Sequence, residues 1–201
     1  MSQRTDRLRR QLILGLLRKL HLQNIARRLP PQLALALFNF FNGSLSIGLI
    51  AVIALVTREA FIFPSLGATA FILFYIPMAE VASPRNVFCG HLTGALCGWC
   101  SLALFGLTDA PSALSNGMDW PHAFSAALSM GLAASMMVLL RVAHPPAAAT
   151  ALIVSLGLMP KLGQIPVLMT GVVVLITQAF ILNRLAGIRY PLWSQRVAAS
   201  H

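Results

Sequence analysis

The sequence predicts an all-α polytopic membrane protein: a helix bundle of two inverted three-span repeats with broken helices, preceded by an amphipathic surface helix. Three observations lead to this fold class. The 201-residue chain is 57% hydrophobic and only 10% charged, whereas soluble domains carry about 25% charged residues. Six apolar stretches follow one another, each near the roughly 20 residues that cross a bilayer as a helix. The basic residues cluster at the two ends of the chain.

The N-terminal segment, residues 1–31, is predicted to form a basic amphipathic helix. Within "RLRRQLILGLLRKLHLQNIARRL" (7–29), leucines recur every four residues, and eight of the 15 Lys and Arg residues fall in the first 28 positions. We expect this helix to lie on the membrane surface against anionic lipid headgroups. An organellar transit peptide, which is also rich in arginine, is the alternative. Basic ends around an apolar middle favour lipid contact over nucleic-acid binding.

The transmembrane domain is predicted over residues 32–183. Its apolar stretches span about 33–57, 60–79, 87–107, 122–140, 142–160 and 164–183. Prolines interrupt the second stretch at Pro64 and the fifth at Pro145 and Pro146, so neither is expected to be an ordinary continuous helix. An arrangement with four spans, in which these two stretches are re-entrant loops, remains open.

The distribution of charge predicts the orientation. If all six stretches cross, the cytoplasmic segments hold 13 of the Lys and Arg residues, including those of a basic tail at 184–201. The outer segments hold only Arg58 and Lys161. This positive-inside bias predicts an inner-membrane protein with both termini in the cytoplasm. The four-span arrangement also keeps both ends inside, so charge favours six spans only weakly.

The two halves of the chain resemble each other. "SIGLIA" (46–51) aligns with "SMGLAA" (129–134) at an offset of 83, which also aligns Arg58 with Arg141. "PSLGATA" (64–70) aligns with "PPAAATA" (145–151) at an offset of 81. We interpret these matches as two repeats, about 33–107 and 122–183. Because each repeat has an odd number of spans, the second must be inverted, as in many secondary transporters.

The proline-containing stretches predict an anion site. A helix start presents unpaired N–H groups and about half a positive charge, which suits an anion. Two such starts converging near the midplane, with cations along the approach, would favour a small anion over a cation. The candidate substrate-binding residues are Pro64, Ser65, Gly67, Thr69, His91, His144, Pro145, Pro146 and Thr150, together with Arg58, Arg85, Asn86 and Arg141.

Simpler interpretations of the same residues stay open. The prolines could only kink two packing helices, and His144 could only cap the backbone break. A hydrogen bond between helices would account for His91 equally well, and Arg85 could pair with Glu80 in a short turn. Under these interpretations no ligand binds.

Three blocks carry a resemblance to a known family. "FPSLGATA" (63–70), "SPRNVFCGHLTGALCG" (83–98) and "HPPAAATA" (144–151) resemble, in this order, the signature blocks of the HPP family of integral membrane proteins. The resemblance implies a compact transmembrane domain, often described with four spanning helices. It also implies nitrite or a similar small anion as cargo, since some members of the family carry nitrite.

Competing functions come from other classes. The protein could pass another small, even neutral, solute, or be a structural subunit without transport activity. "CGWC" (97–100) has the spacing of a redox pair, but it lies in an apolar helix, so we expect Cys97 and Cys100 to be packing residues. No nucleotide-binding motif or metal-ligand set occurs, so we expect no cofactor, no metal and no enzymatic activity. Transport would be passive or coupled to an ion gradient. The sequence leaves open whether the chain forms a homo-oligomer.

Overall fold

The computed structural model describes residues 29–59 and 63–194, and these residues form helices and loops without any strand. The predicted surface helix falls on residues 1–28 and therefore lies outside the described residues. Two short 3-10 helices, Glu80–Ala82 and Leu162–Gln164, precede α3 and α7. The α-helices are α1 (Pro31–Thr57), α2 (Pro64–Tyr75), α3 (Pro84–Leu104), α4 (Ala113–Asn116), α5 (Trp120–Leu139), α6 (Pro146–Ser155) and α7 (Ile165–Leu185).

Four of these helices are long and apolar enough to cross a membrane. They are Pro31–Thr57, Pro84–Leu104, Trp120–Leu139 and Leu162–Leu185, the last including the short 3-10 helix before α7. The second and fifth apolar stretches form α2 and α6, with only 12 and 10 residues. At 1.5 Å per residue these helices are about 18 and 15 Å long, against a hydrocarbon core of about 30 Å. The prediction that all six stretches approach spanning length is therefore correct for four of them.

Proline marks where the helices begin. Each α-helix except the single-turn α4 has a proline at its first or second position. Proline suits this position, because its missing N–H would have no partner inside the helix. Pro64 and Pro146 accordingly start α2 and α6 rather than kink longer helices.

Helix bounds recur along the chain. Helices α3 and α7 both have 21 residues, and their bounds differ by 81 positions. Arg58 is the C-cap residue of α1, and Arg141 lies two residues after the end of α5, with φ angles of 58° and 54°. They are the non-glycine residues with positive φ in the described segments, and they align at an offset of 83 in sequence. The two halves thus share backbone geometry as well as sequence.

Helices α3 and α6 are in backbone contact. A Cβ atom added to Gly90 would lie 2.8 Å from the Cβ of His144, and one on Gly94 would overlap the carbonyl oxygen of Ala147. One on Gly98 would lie 2.6 Å from the carbonyl oxygen of Ala151. The contacts advance together along both helices, so α3 and α6 run in the same direction. Small residues permit this close approach between membrane helices.

The outer surface is apolar. Large hydrophobic side chains are exposed on every long helix, among them Phe40 and Leu55 on α1 and Leu139 on α5. On α1 only Ala34, Ser46 and Ile50 are buried. A soluble monomer seldom exposes so large an apolar surface, whereas lipid tails solvate it. The molecule is therefore a membrane protein, and a set of polar side chains lies buried inside it.

Candidate functional site

Two histidines and two threonines form a polar cluster inside the bundle, which we call the His–Thr cluster. Its members are Thr69 on α2, His91 on α3, His144 just before α6, and Thr150 on α6. All four are between 0 and 1% exposed. Buried ionisable residues within a membrane domain mark a functional site by default, so this cluster is the candidate site.

His91 lies between the two threonines. Its Nε2 is 2.8 Å from the Thr69 hydroxyl, and its Nδ1 is 2.8 Å from the Thr150 hydroxyl. Both ring nitrogens are therefore hydrogen-bonded, one to each short helix. Thr69 and Thr150 occupy the same place in the aligned segments "PSLGATA" and "PPAAATA", so equivalent residues of the two halves bind the same ring.

The Thr69 hydroxyl also joins the two histidines. It lies 3.0 Å from Nε2 of His144 as well as 2.8 Å from Nε2 of His91, and it donates to the carbonyl of Ser65 at 2.9 Å. The centres of the two imidazole rings are 5.0 Å apart. One oxygen thus connects His91 with His144.

A backbone carbonyl orients His144. Its Nδ1 lies 2.7 Å from the carbonyl oxygen of Val81, in the 3-10 helix between α2 and α3. The neighbouring carbonyl, that of Ala82, accepts a hydrogen bond from the buried Tyr190 hydroxyl at 2.5 Å. The chain after α7 therefore supports the segment that orients His144.

Arg85 and Asn86 hold the loop that leads to His144. The Arg85 guanidinium donates to the carbonyls of Arg141 at 2.8 Å and Leu140 at 3.1 Å. The Asn86 amide donates to the carbonyl of Ala143 at 3.2 Å. Both residues are candidates for substrate contact from the sequence, and in the structure their side chains bind the loop backbone. They are positioning residues for His144 in this structure.

We predict that Arg85→Lys lowers the stability of the fold. Lysine cannot reproduce the two-pronged contact of a guanidinium with two carbonyls, and losing one charge-assisted hydrogen bond costs about 1.5–3 kcal/mol. The melting temperature in detergent should fall by several degrees, at about 2–4 °C per kcal/mol. Arg58→Lys, at an exposed arginine, is the matched control and should leave the melting temperature unchanged. Equal melting temperatures for both variants would contradict the assigned role of Arg85.

The start of α6 does not offer the free N–H groups that the sequence predicted. Pro145 and Pro146 have none, and the next two N–H groups, of Ala147 and Ala148, donate to the carbonyls of His144 and Pro145. These N–H groups are occupied because the first turn of α6 forms hydrogen bonds to the carbonyls of the residues just before it. At this helix start, the donors available to a ligand are side chains.

The remaining candidate residues lie around the His–Thr cluster. Pro146 is buried, and Ser65 is buried with no hydrogen-bond partner for its hydroxyl. Exposed positions are held by Pro64, Gly67, Pro145, Arg58 and Arg141. The structure therefore brings together Thr69, His91, His144 and Thr150 and leaves the two arginines of the repeats at the surface.

Sequence reasoning missed three of these features. The contact between His91 and His144, the carbonyl of Val81 and the role of Arg85 all depend on contacts more than 50 residues apart in sequence. The offset of 81 residues was the one available signal, since it places Thr69 and Thr150 in equivalent positions. If Thr69 and Thr150 are assumed to meet in the fold, a polar side chain that binds both hydroxyls is expected, and His91 is that residue.

Other titratable groups lie away from the cluster. Asp119 caps α5, and hydrogen bonds from the backbone and ring N–H groups of His122 hold the pKa of its carboxyl below the usual value. The three cysteines are free thiols, and Cys97 and Cys100 share helix α3. Within the described segments, no group of three or more His, Cys, Asp or Glu residues could hold a metal ion.

Fold and site together define a class: a membrane protein whose described segments are all-helical, with four candidate spans and a buried polar cluster between two short helices. The chain matches the family described as "HPP, transmembrane region" over residues 28–191. It belongs to the HPP family, as the three sequence blocks predicted.

A curated relative from Dictyostelium discoideum, described only as a transmembrane protein, is 29% identical over 135 residues. The alignment covers 64% of this chain and 44% of the relative, so the chain spans less than half of that protein's length. No solved structure matches this chain.

Proposed function

We propose that this HPP-family protein carries a small inorganic anion across the membrane, with nitrite as the leading candidate. Family membership supports a role in transmembrane transport. Nitrite itself comes from the resemblance to family members that carry it. The observation on which the proposal depends is that Thr69 and Thr150, equivalent residues of the two halves, bind opposite nitrogens of His91.

The repeat arrangement explains why Thr69 and Thr150 bind the same histidine. We infer that the helices α1–α3 and α5–α7 are inverted repeats, which is supported by the parallel course of α3 and α6 and by the equal lengths of α3 and α7. In this arrangement α2 and α6 enter from opposite faces and present Thr69 and Thr150 near the midplane. Secondary transporters with inverted repeats place their substrate sites at such a point.

The chemistry of the cluster suits an anion. Hydroxyl and imidazole N–H groups donate hydrogen bonds, and an imidazolium adds positive charge. Nitrite is the anion of a weak acid and is charged at neutral pH, so lipid excludes it and a polar path is required. Because the cluster is fully buried, α2 and α6 must separate for an anion to replace the internal hydrogen bonds. This requirement favours a carrier over a permanently open pore.

We also propose an inner-membrane location with both termini in the cytoplasm. The excess of basic residues in the predicted cytoplasmic segments supports this orientation. The basic N-terminal segment would contact anionic headgroups. The protein would act without a cofactor, without nucleic acid and without enzymatic activity.

Flux measurements in proteoliposomes test the proposal. Uptake of nitrite should exceed that of nitrate, chloride and urea, with protein-free liposomes at the same pH as the control for diffusion of nitrous acid. A slightly alkaline buffer keeps the free acid scarce. Faster uptake of urea, or equal uptake of all four solutes, would indicate a carrier or channel for another solute.

The same assay separates the remaining classes. A Cys97→Ser/Cys100→Ser double variant should retain full nitrite uptake, because neither thiol belongs to the His–Thr cluster. Loss of activity in the folded variant would favour a membrane redox protein. Absence of flux with folded wild-type protein would favour a structural subunit.

A further inference from the structure

The His–Thr cluster has more hydrogen-bond contacts than its neutral side chains have hydrogens. Five short contacts connect its members with each other and with two backbone carbonyls. They join Val81 to His144, His144 to Thr69, Thr69 to Ser65, Thr69 to His91, and His91 to Thr150, at 2.7 to 3.0 Å. Each contact needs one hydrogen on one of its two atoms.

The carbonyls fix where the hydrogens lie. A carbonyl oxygen only accepts, so Nδ1 of His144 carries the hydrogen that binds Val81. In a neutral His144, Nε2 then carries a lone pair and can only accept, so the Thr69 hydroxyl must be the donor in their contact. The Ser65 carbonyl requires the same hydroxyl as donor. Since Thr69 has a single hydroxyl hydrogen, it serves one of the two acceptors.

His91 does not relieve the shortage. The Ser65 carbonyl and Nε2 of His144 already compete for the hydrogen of the Thr69 hydroxyl. In the contact between Thr69 and His91, Nε2 of His91 is therefore the donor. Nδ1 of a neutral His91 then accepts from Thr150. In total, neutral imidazoles and two hydroxyls supply four hydrogens for five contacts.

One added proton completes the network without moving a heavy atom. With a hydrogen on Nε2 of His144, this nitrogen donates to Thr69, and the Thr69 hydroxyl donates to Ser65. The Thr69 oxygen accepts from both histidines, which its two lone pairs allow. All five contacts are then satisfied.

We infer that the His–Thr cluster binds a proton at Nε2 of His144 together with the transported anion, which makes the protein a proton–anion cotransporter. This inference rests on the proposed function. The proton is transferred from a hydronium ion, which is left as water, to the lone pair of Nε2, and no covalent bond is broken in the protein. The pair enters with no net charge.

The surroundings of His144 couple the two ligands. On α2 the cluster meets Ser65 and Thr69, which do not ionise at physiological pH, and on α6 it meets Thr150. Helix α3 contributes His91 and, on the adjoining loop carbonyls, the Arg85 guanidinium.

The other ionisable groups near His144 place no carboxylate in the His–Thr cluster. Glu80, one residue before Val81, and Arg141 are exposed, and the hydroxyl of Tyr190 binds Ala82. None of the cluster contacts found in the described segments involves a carboxylate. A buried imidazolium without a counter-charge is costly. An arriving anion supplies that charge, and by linkage each ligand raises the affinity for the other.

Calorimetry on the detergent-solubilised full chain tests this inference. Sodium nitrite is titrated into the protein in two buffers that differ in ionisation enthalpy, at a pH where His144 is neutral. The heats should differ by an amount that corresponds to about one proton taken up per nitrite bound. The apparent Kd should rise about tenfold for each further unit of pH, because fewer protons are available.

The outcomes separate the two proposals. Nitrite binding with identical heats in both buffers would overturn proton coupling and leave anion transport standing. Absence of nitrite binding by folded protein would overturn both.

Matched variants locate the proton. His144→Gln should abolish proton uptake and weaken nitrite binding about tenfold, whereas His122→Gln, which lies outside the cluster at the Asp119 contact, should retain both. Proton uptake that survives in His144→Gln would overturn the assignment. If His144→Gln does not fold, nitrogen NMR of histidine-labelled wild-type protein replaces it. Addition of nitrite should convert one neutral imidazole with a protonated Nδ1 into an imidazolium, and unchanged ring signals in the bound protein would overturn the inference.

Discussion

Thr150→Val should reduce nitrite uptake by about tenfold or more while the protein stays folded. Valine has nearly the shape of threonine, but it leaves Nδ1 of His91 buried without a partner. An unsatisfied buried polar group costs about 1–3 kcal/mol, and 1.4 kcal/mol corresponds to a factor of ten. The substitution also removes a hydroxyl that is proposed to donate to the anion. The measurement is initial uptake in proteoliposomes, normalised to the amount of folded protein.

Two further variants accompany Thr150→Val, one at the equivalent residue of the first half and one as a matched control. Thr69→Val changes the equivalent residue of the first half and should also reduce uptake. Thr170→Val makes the same chemical change at an exposed threonine that binds only its own helix, through the carbonyl of Pro166, and should leave uptake near the wild-type level. Equal uptake by Thr150→Val and Thr170→Val would remove the cluster from the transport path.

Gly94→Ala should destabilise the protein strongly. The added methyl group would overlap the carbonyl oxygen of Ala147, and both partners are backbone within helices, so neither can yield alone. Overpacking of this kind costs about 1–3 kcal/mol, occasionally more. The melting temperature in detergent should fall by about 5–10 °C, at 2–4 °C per kcal/mol.

The control for this variant is another helical glycine. A Cβ atom on Gly131 of α5 would meet nothing within 4 Å, so Gly131→Ala should hold or raise the melting temperature, because alanine is the better helix former. A Gly94→Ala protein as stable as the wild type would show that α3 and α6 do not pack as closely as the structure indicates.

Local features of the fold were predictable because they depend on nearby residues. Apolar stretches located six of the seven α-helices in the described segments, all except the single-turn α4, and the prolines marked where α2 and α6 begin. The sequence did not predict how short α2 and α6 are, because their ends depend on packing and on the turns that follow. It also did not show that, at the start of α6, the N–H groups of Ala147 and Ala148 donate to preceding carbonyls and are therefore occupied.

The candidate site was predictable in composition but not in arrangement. All four members of the His–Thr cluster were candidates, because buried histidines and hydroxyls stand out in an apolar chain. Their contacts join residues 22 to 75 positions apart, so no local pattern specifies them. Arg85 illustrates the limit: from the sequence it was a candidate for ligand contact or for pairing with Glu80, whereas its side chain binds carbonyls of a loop 55 and 56 residues away.

Arg58 and Arg141 have a further experimental value, because both adopt a backbone conformation that favours glycine. Changing either arginine to glycine deletes the charge and at the same time relieves a steric burden on the main chain. At most positions such a change would loosen the chain and confuse the interpretation. At these two positions glycine fits the observed backbone conformation, so a slower capture of anions in either variant would measure the long-range attraction exerted by that arginine.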